Sequence, residues 1–222
     1  MQDVLNINSS VQDTLNMAMK KELLLGSKLN VVSDLIDSTV GLSIPRVYID
    51  NDGNGSVSVV DVATFSRIAT ISGFINPRGM ASSPIFNNVY VVNSRNASVS
   101  AIDADINSIL ITIQVGEFPI GAVIDNTLNR LYVANHNTQN VSVINTMTKT
   151  VIQTLGALGV QGEGIVLNTA NNSLYIVGND NNLVGVYNLT TNSFSTIAVP
   201  NLFSGEDQLN IDVGNHVILR LI

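Results

Sequence analysis

The residues of this chain with chemical potential are carboxylates set among turn-forming residues. Asp50-Asn51-Asp52-Gly53-Asn54-Gly55 matches the D-x-D-x-N-G half of a calcium loop. Hard oxygen ligands alternating along a tight turn suit Ca2+, which makes Asp50, Asp52 and Asn54 its candidate ligands. Asp61 stands at the twelfth position, and Ser58 where some loops of this kind carry a further acid. The competing reading is a hairpin turn built from residues that tolerate positive φ. A second set precedes strand-like runs: Asp37, Arg78, Glu117, Glu163, Glu206 and Asp207. Brought together, these groups would bind a cation or a polyol, or serve as acid and base; left apart, they are solvated loop charge. His136 and His216 are isolated and receive no role, nor do the sequons at Asn96 and Asn140.

What must position these groups is a repeat. VYIDNDGNGSVSVVD begins at Val47, VYVVNSRNASVSAID at Val89, LYVANHNTQNVSVIN at Leu131 and LYIVGNDNNLVGVYN at Leu174. The anchors Tyr48, Tyr90, Tyr132, Tyr175 and Ile218 are spaced by 42, 42, 43 and 43 residues. A fixed period of that length with four strand-like runs per unit predicts an all-β propeller. The Tyr strands are apolar on both faces, as strands are when neighbours cover a sheet on both sides. Asp61, Asp103, Asn145 and Asn188 recur in phase and are expected to hydrogen-bond backbone in the following turn.

The expected organisation is a single domain of about five four-stranded blades. Their units run over 38–75, 76–117, 118–160 and 161–203, with a composite of 204–222 and 1–19 that closes the ring. Residues 20–32 break the period and are expected to form an inserted loop or short helix. For 1–19 an amphipathic helix after Ser10 competes with two strands, and the repeat logic favours the strands. Turns entering a first strand and leaving a second lie on one side of a propeller. The loop Asp50–Gly55 should therefore share a face with Asp37, Arg78, Glu117, Glu163, Glu206 and Asp207, the latter set nearer the axis.

Composition bounds the partners. Apolar residues are 45% of the chain, charged residues 12%, and the formal charge is −7. A net negative surface repels phosphate backbones, which excludes nucleic acid as an expected partner. No apolar run reaches the length of a membrane span, and no secretory leader is visible at the N-terminus. With no cysteine in the sequence, disulfides and thiolate metal sites are excluded.

Tyr90-Val91-Val92-Asn93 and Tyr132-Val133-Ala134-Asn135 are each followed by a V-S-V/A-I-D/N run. Pro77–Gly79 and Pro119–Gly121 add a recurrent Pro-x-Gly. Together these resemble YVTN-type propeller repeats over about residues 38–222. The resemblance implies a surface-layer or bacterial cell-surface setting, extracellular or on the cell surface, and a binding scaffold. Gly162-Glu163-Gly164 and Gly205-Glu206-Asp207 depart from the Pro-x-Gly pattern. The expected function is non-catalytic recognition of a protein or carbohydrate-like ligand through one face. The alternative is a propeller hydrolase or lyase using the acidic mouth, with a divalent cation.

Overall fold

The computed structural model describes residues 31–32, 46–156, 158–178, 182–199, 208–211 and 217–220. These residues form antiparallel strands. The first blade orders β1 (Val31–Val32), β2 (Arg46–Asn51), β3 (Ser56–Asp61) and β4 (Ser66–Ser72). The second holds β5 (Pro77–Ser83), β6 (Asn88–Asn93), β7 (Ser98–Asp103) and β8 (Ser108–Gln114). The third holds β9 (Pro119–Asp125), β10 (Arg130–Asn135), β11 (Asn140–Asn145) and β12 (Thr150–Leu155). The fourth holds β13 (Gly162–Asn168), β14 (Ser173–Gly178), β15 (Leu183–Asn188) and β16 (Ser193–Ala198). A two-stranded ribbon follows, β17 (Gln208–Ile211) with β18 (Val217–Arg220).

Two expectations need correction. Among the described residues the complete blades number four, not five, since β17 and β18 pair only with each other. Residues 1–19, expected to complete that last sheet, lie outside the described residues. The first blade also begins earlier than residue 38. Val31 pairs with Ile49 and Val32 with Tyr48, so the end of the supposed insertion is the blade's first strand. The extra chain is therefore the 33–45 connection, between β1 and β2. A period count back from Tyr48 misses this because it assumes that every connection has the same length.

The blades adhere through alternation. In β6, Val89 and Val91 point into one inter-blade layer with Tyr48, Val57, Val59 and Met80. Their neighbours Tyr90 and Val92 point the other way, into a layer with Leu131, Val133 and Ile144. Side chains alternate across a strand, so a strand between two blades must be apolar at every position. Val89 to Val92 are all fully buried. Removing each such side chain from water stabilises by about 1.5–3 kcal/mol, which makes these layers the main cohesive element. A third layer joins Tyr132, Val141 and Val143 to Ile165, Leu174 and Ile176.

The recurrent tyrosines and asparagines fasten this frame. Tyr90 reaches across its layer and donates to the Thr146 carbonyl at 3.0 Å. Asn93 Nδ2 donates to Ser98 Oγ at 3.2 Å and Ser100 Oγ at 2.9 Å. Asn51 makes the same pair of bonds to Ser56 and Ser58. The final Asn of the YVxN run is thus a clamp on the next strand. The in-phase Asp and Asn residues act as expected: Asp61 Oδ1 accepts from Ala63 and Thr64 N–H, and Asn145 Oδ1 from Met147 and Thr148 N–H.

Candidate functional site

The inner strands β5, β9 and β13 begin at one end of their blades, and each begins with a bulge. Pro77 pairs with Asn93 and Met80 with Val91, leaving Arg78 and Gly79 opposite a single residue. Pro119 pairs with Asn135 and Ala122 with Val133, so Ile120 and Gly121 share the same irregularity. Glu163 is the extra residue between Gly162, opposite Gly178, and Gly164, opposite Val177. A bulge re-aims the side chain it carries, and bulges concentrate at rims and sites. Arg78, Ile120 and Glu163 are therefore equivalent positions on three successive blades.

Glycine lets these bulges approach. A Cβ on Gly79 would lie 2.3 Å from the Ile120 carbonyl oxygen, and one on Gly121 would lie 2.7 Å from that of Glu163. The Pro-x-Gly signature is thus a backbone-to-backbone contact between inner strands.

Between the bulged charges sits an aromatic pair. Arg78 lies over the Phe118 ring, its guanidinium carbon 5.7 Å from the ring centroid, within cation–π range. Phe118 meets His136 edge-on, with centroids 5.7 Å apart and planes at 69°. His136 Nε2 stands 4.0 Å from Glu163 Oε1, both side chains being largely covered at 15% and 23% exposure. Its Nδ1 lies 3.0 Å from Asn137 Oδ1. The sequence Arg78–Phe118–His136–Glu163 therefore runs from blade 2 through blade 3 to blade 4.

Phe118 is held at a conformational cost. Its φ is +50°, and Pro119 follows. A non-glycine residue in the left-handed region costs roughly 1–2 kcal/mol, and a bulky one is rare there. The equivalent position in blade 2 is Asn76, with φ +54°, a residue type that tolerates this region better. His136 N–H donates to the Phe118 carbonyl at 3.0 Å, as Ser94 N–H donates to Asn76. The same left-handed conformation recurs at eleven other non-glycine residues among the described ones, Phe65 included, so it belongs to the turns of the repeat.

The predicted site residues separate accordingly. Arg78 and Glu163 belong to this group. Glu117 is exposed beside it, and its carbonyl accepts from Asn137 N–H at 3.2 Å. Asp37, Glu206 and Asp207 lie outside the described residues. Phe118 and His136 were passed over by sequence reasoning. The available signal was an aromatic residue at the pre-proline position where blade 2 uses Asn.

The candidate calcium loop lies on the same face. Asp50 is buried in β2 opposite Val57, while Asp52 and Asn54 are exposed in the following 3-10 turn. Asn76 of the next blade hydrogen-bonds to Asp52 Oδ1. Gly55 closes the turn in the left-handed region and donates to the Asp52 carbonyl. Blade 2 builds an equivalent turn from Ser94–Asn96 and Ala97, without an acid. The backbone alone accounts for the shape. Among the described residues no cluster of three or more His, Cys, Asp or Glu side chains converges.

No protein-family model matches the chain, and no curated protein matches it either. Solved structures resemble it in shape. The hydrazine synthase of Kuenenia stuttgartiensis superposes with a TM-score of 0.67 and 18% identity, over 78% of this chain and 51% of that one. The structure of U3-55K gives a TM-score of 0.59 and 15% identity, over 76% of this chain and 55% of that one. The chain thus spans about half the length of each. At such identities the likeness establishes the β-propeller fold and nothing further. No helix among the described residues is long and apolar enough to cross a membrane.

Proposed function

We propose that this propeller is a non-catalytic binding module, and that Arg78, Phe118, His136 and Glu163 form its recognition surface. The observation that carries this reading is the half-buried Phe118 ring, set between Arg78 and His136. A half-buried aromatic set between a guanidinium and an imidazole, with a carboxylate beyond, suits a ligand with an apolar body and polar edges. A protein side chain or a carbohydrate-like group has that character. The YVTN-type resemblance supports placing such a module outside the cell or at its surface. A calcium ion at Asp50, Asp52 and Asn54 would be an accessory to this face.

The test separates recognition from stability. Arrays of oligosaccharides and of peptides rich in Arg or Lys are screened with the full chain, and the best binder is measured against variants. Phe118→Asn places at this position the residue that blade 2 uses. It should hold or raise the melting temperature and weaken binding at least tenfold. Glu163→Gln keeps the shape of the side chain and should weaken binding, while a melting curve checks that the fold is retained. Unchanged binding in both variants would overturn the assignment.

A further inference from the structure

The face has a second concavity, farther from the inner strands. Between blades 2 and 3 a cleft of about 270 Å³ is lined by Gln114 and Val115 from the end of β8, and by Asn140, Ser142, Val151 and Thr154 from β11 and β12. We propose that this cleft binds a small, uncharged, hydroxyl-rich molecule, one sugar residue or a cyclic polyol. The volume lies just below the range of ligand pockets, roughly 300–1,000 Å³, which limits the occupant to a single small ring.

The chemistry of the walls selects the ligand. None of the lining residues is charged, so an ionic ligand would be desolvated there without a counter-ion. The polar groups are instead amides and hydroxyls, each able to pair with a hydroxyl that both donates and accepts. They are also pre-arranged. Asn135 Nδ2 donates to Asn140 Oδ1 at 2.7 Å and to Ser142 Oγ at 2.9 Å, and Thr138 Oγ1 donates to Asn140 Oδ1 at 3.1 Å. With its carbonyl occupied, Asn140 keeps its amide NH2 for donation, and Ser142 keeps its hydroxyl proton. A ligand would not have to order these groups itself.

Register adds the rest. Ser142 and Thr154 are cross-strand partners, so their hydroxyls share one face. In blade 2 the equivalent Ser100 and Thr112 bond each other at 3.1 Å. In blade 3 no Ser142–Thr154 bond forms, which leaves both hydroxyls to a ligand. A bulge in β12 opposes Val151, not Ile152, to Ile144 and so turns Val151 to that face. Val151 and Val115 then offer apolar surface to the C–H face of a ring. Gly116 closes the site at the top, since a Cβ there would meet Thr138 Oγ1 at 2.4 Å and break the Asn140 support.

The cleft does not include the Phe118 group, so its test is independent of that reading. Saturation-transfer NMR on the full chain would use methyl glucoside, methyl galactoside, methyl mannoside, N-acetylglucosamine and myo-inositol, with glucuronate as the charged probe. At least one neutral probe should show transfer, and glucuronate should show less. Thr154→Val removes one hydroxyl without changing shape and should weaken binding about fivefold, the usual worth of a hydrogen bond. Thr154→Phe fills the cleft and should abolish binding. Thr154 is exposed on an edge strand, and a melting curve confirms that both variants fold. Glu163→Gln should leave this binding unaltered. Absence of transfer from every neutral probe, preference for glucuronate, or full binding by Thr154→Phe would each overturn the proposal.

Discussion

The Tyr90 hydroxyl donates a 3.0 Å hydrogen bond to the Thr146 carbonyl across the layer between blades 2 and 3. The ring is fully buried, so one side chain supplies both apolar area and a fixed link between neighbouring sheets. Tyr48 spans the preceding layer by a different bond, its hydroxyl donating to Asn107 Oδ1 at 3.4 Å, while Arg46 donates to the Ala104 carbonyl.

Burial pushes the Tyr90 phenol up to about 12, from an ordinary value of about 10. A raised folded-state pKa means that the neutral form is favoured by folding. Its contribution is complete below about pH 10 and is lost as pH rises through about 12. Chemical denaturation between these limits should show stability falling with pH, and more shallowly in Tyr90→Phe. At neutral pH Tyr90→Phe should cost about 1–2 kcal/mol, because the Thr146 carbonyl loses its buried partner.

Acid should act through the outer turns. Asp61 is held below the ordinary carboxylate range, first by the Thr64 N–H and against the opposing effect of desolvation, with Ala63 N–H adding to the lowering. A depressed folded-state pKa contributes stability above the unfolded value near 4, and that contribution is lost as pH falls through the folded one. Asp61→Asn should keep the turn, since Asn145 accepts the same two bonds in blade 3 at 2.9 Å each. The variant should flatten the acid limb of a stability profile. An unchanged limb would remove Asp61 as its source.

Two glycines should respond oppositely to alanine. Gly121→Ala places a Cβ 2.7 Å from a backbone oxygen that cannot move without disturbing β13. Overpacking of this kind costs about 1–3 kcal/mol. A Cβ on Gly53 meets nothing within 4 Å, and its φ is not positive. Gly53→Ala should be neutral or stabilise by up to about 1 kcal/mol through the unfolded chain. Urea denaturation of the pair tests the inner-strand contact directly.

Calcium is tested by melting. If Asp50, Asp52 and Asn54 hold the ion, excess calcium stabilises the folded state by RT ln(1 + [L]/Kd). The melting temperature should then exceed that in chelator, and Asp50→Ala with Asp52→Ala should erase the difference. Identical melting in both solutions leaves the turn as a backbone feature alone.

Much of this architecture was legible in the chain. The spacing of Tyr48, Tyr90, Tyr132 and Tyr175 encodes the repeat, and the continuous burial of Val89 to Val92 follows from their apolar run. The Asx-capped turns at Asp61 and Asn145 were equally visible, because a residue and a backbone N–H two positions away meet whatever surrounds them. The 33–45 connection was misplaced because periodicity records that a residue is extra, not which loop absorbs it. Arg78 and Glu163 were expected on one face, but the Phe118–His136 pair that stands between them was not legible. The four residues belong to three blades, and their contact depends on bulges whose register is set by pairing with a partner strand. The open cleft at Ser142 has the same origin, since a bulge in β12 decides which side chain lines it. Within a blade, neighbours in sequence are neighbours in space, so pattern suffices; between blades, only the packed sheets determine which side chains meet.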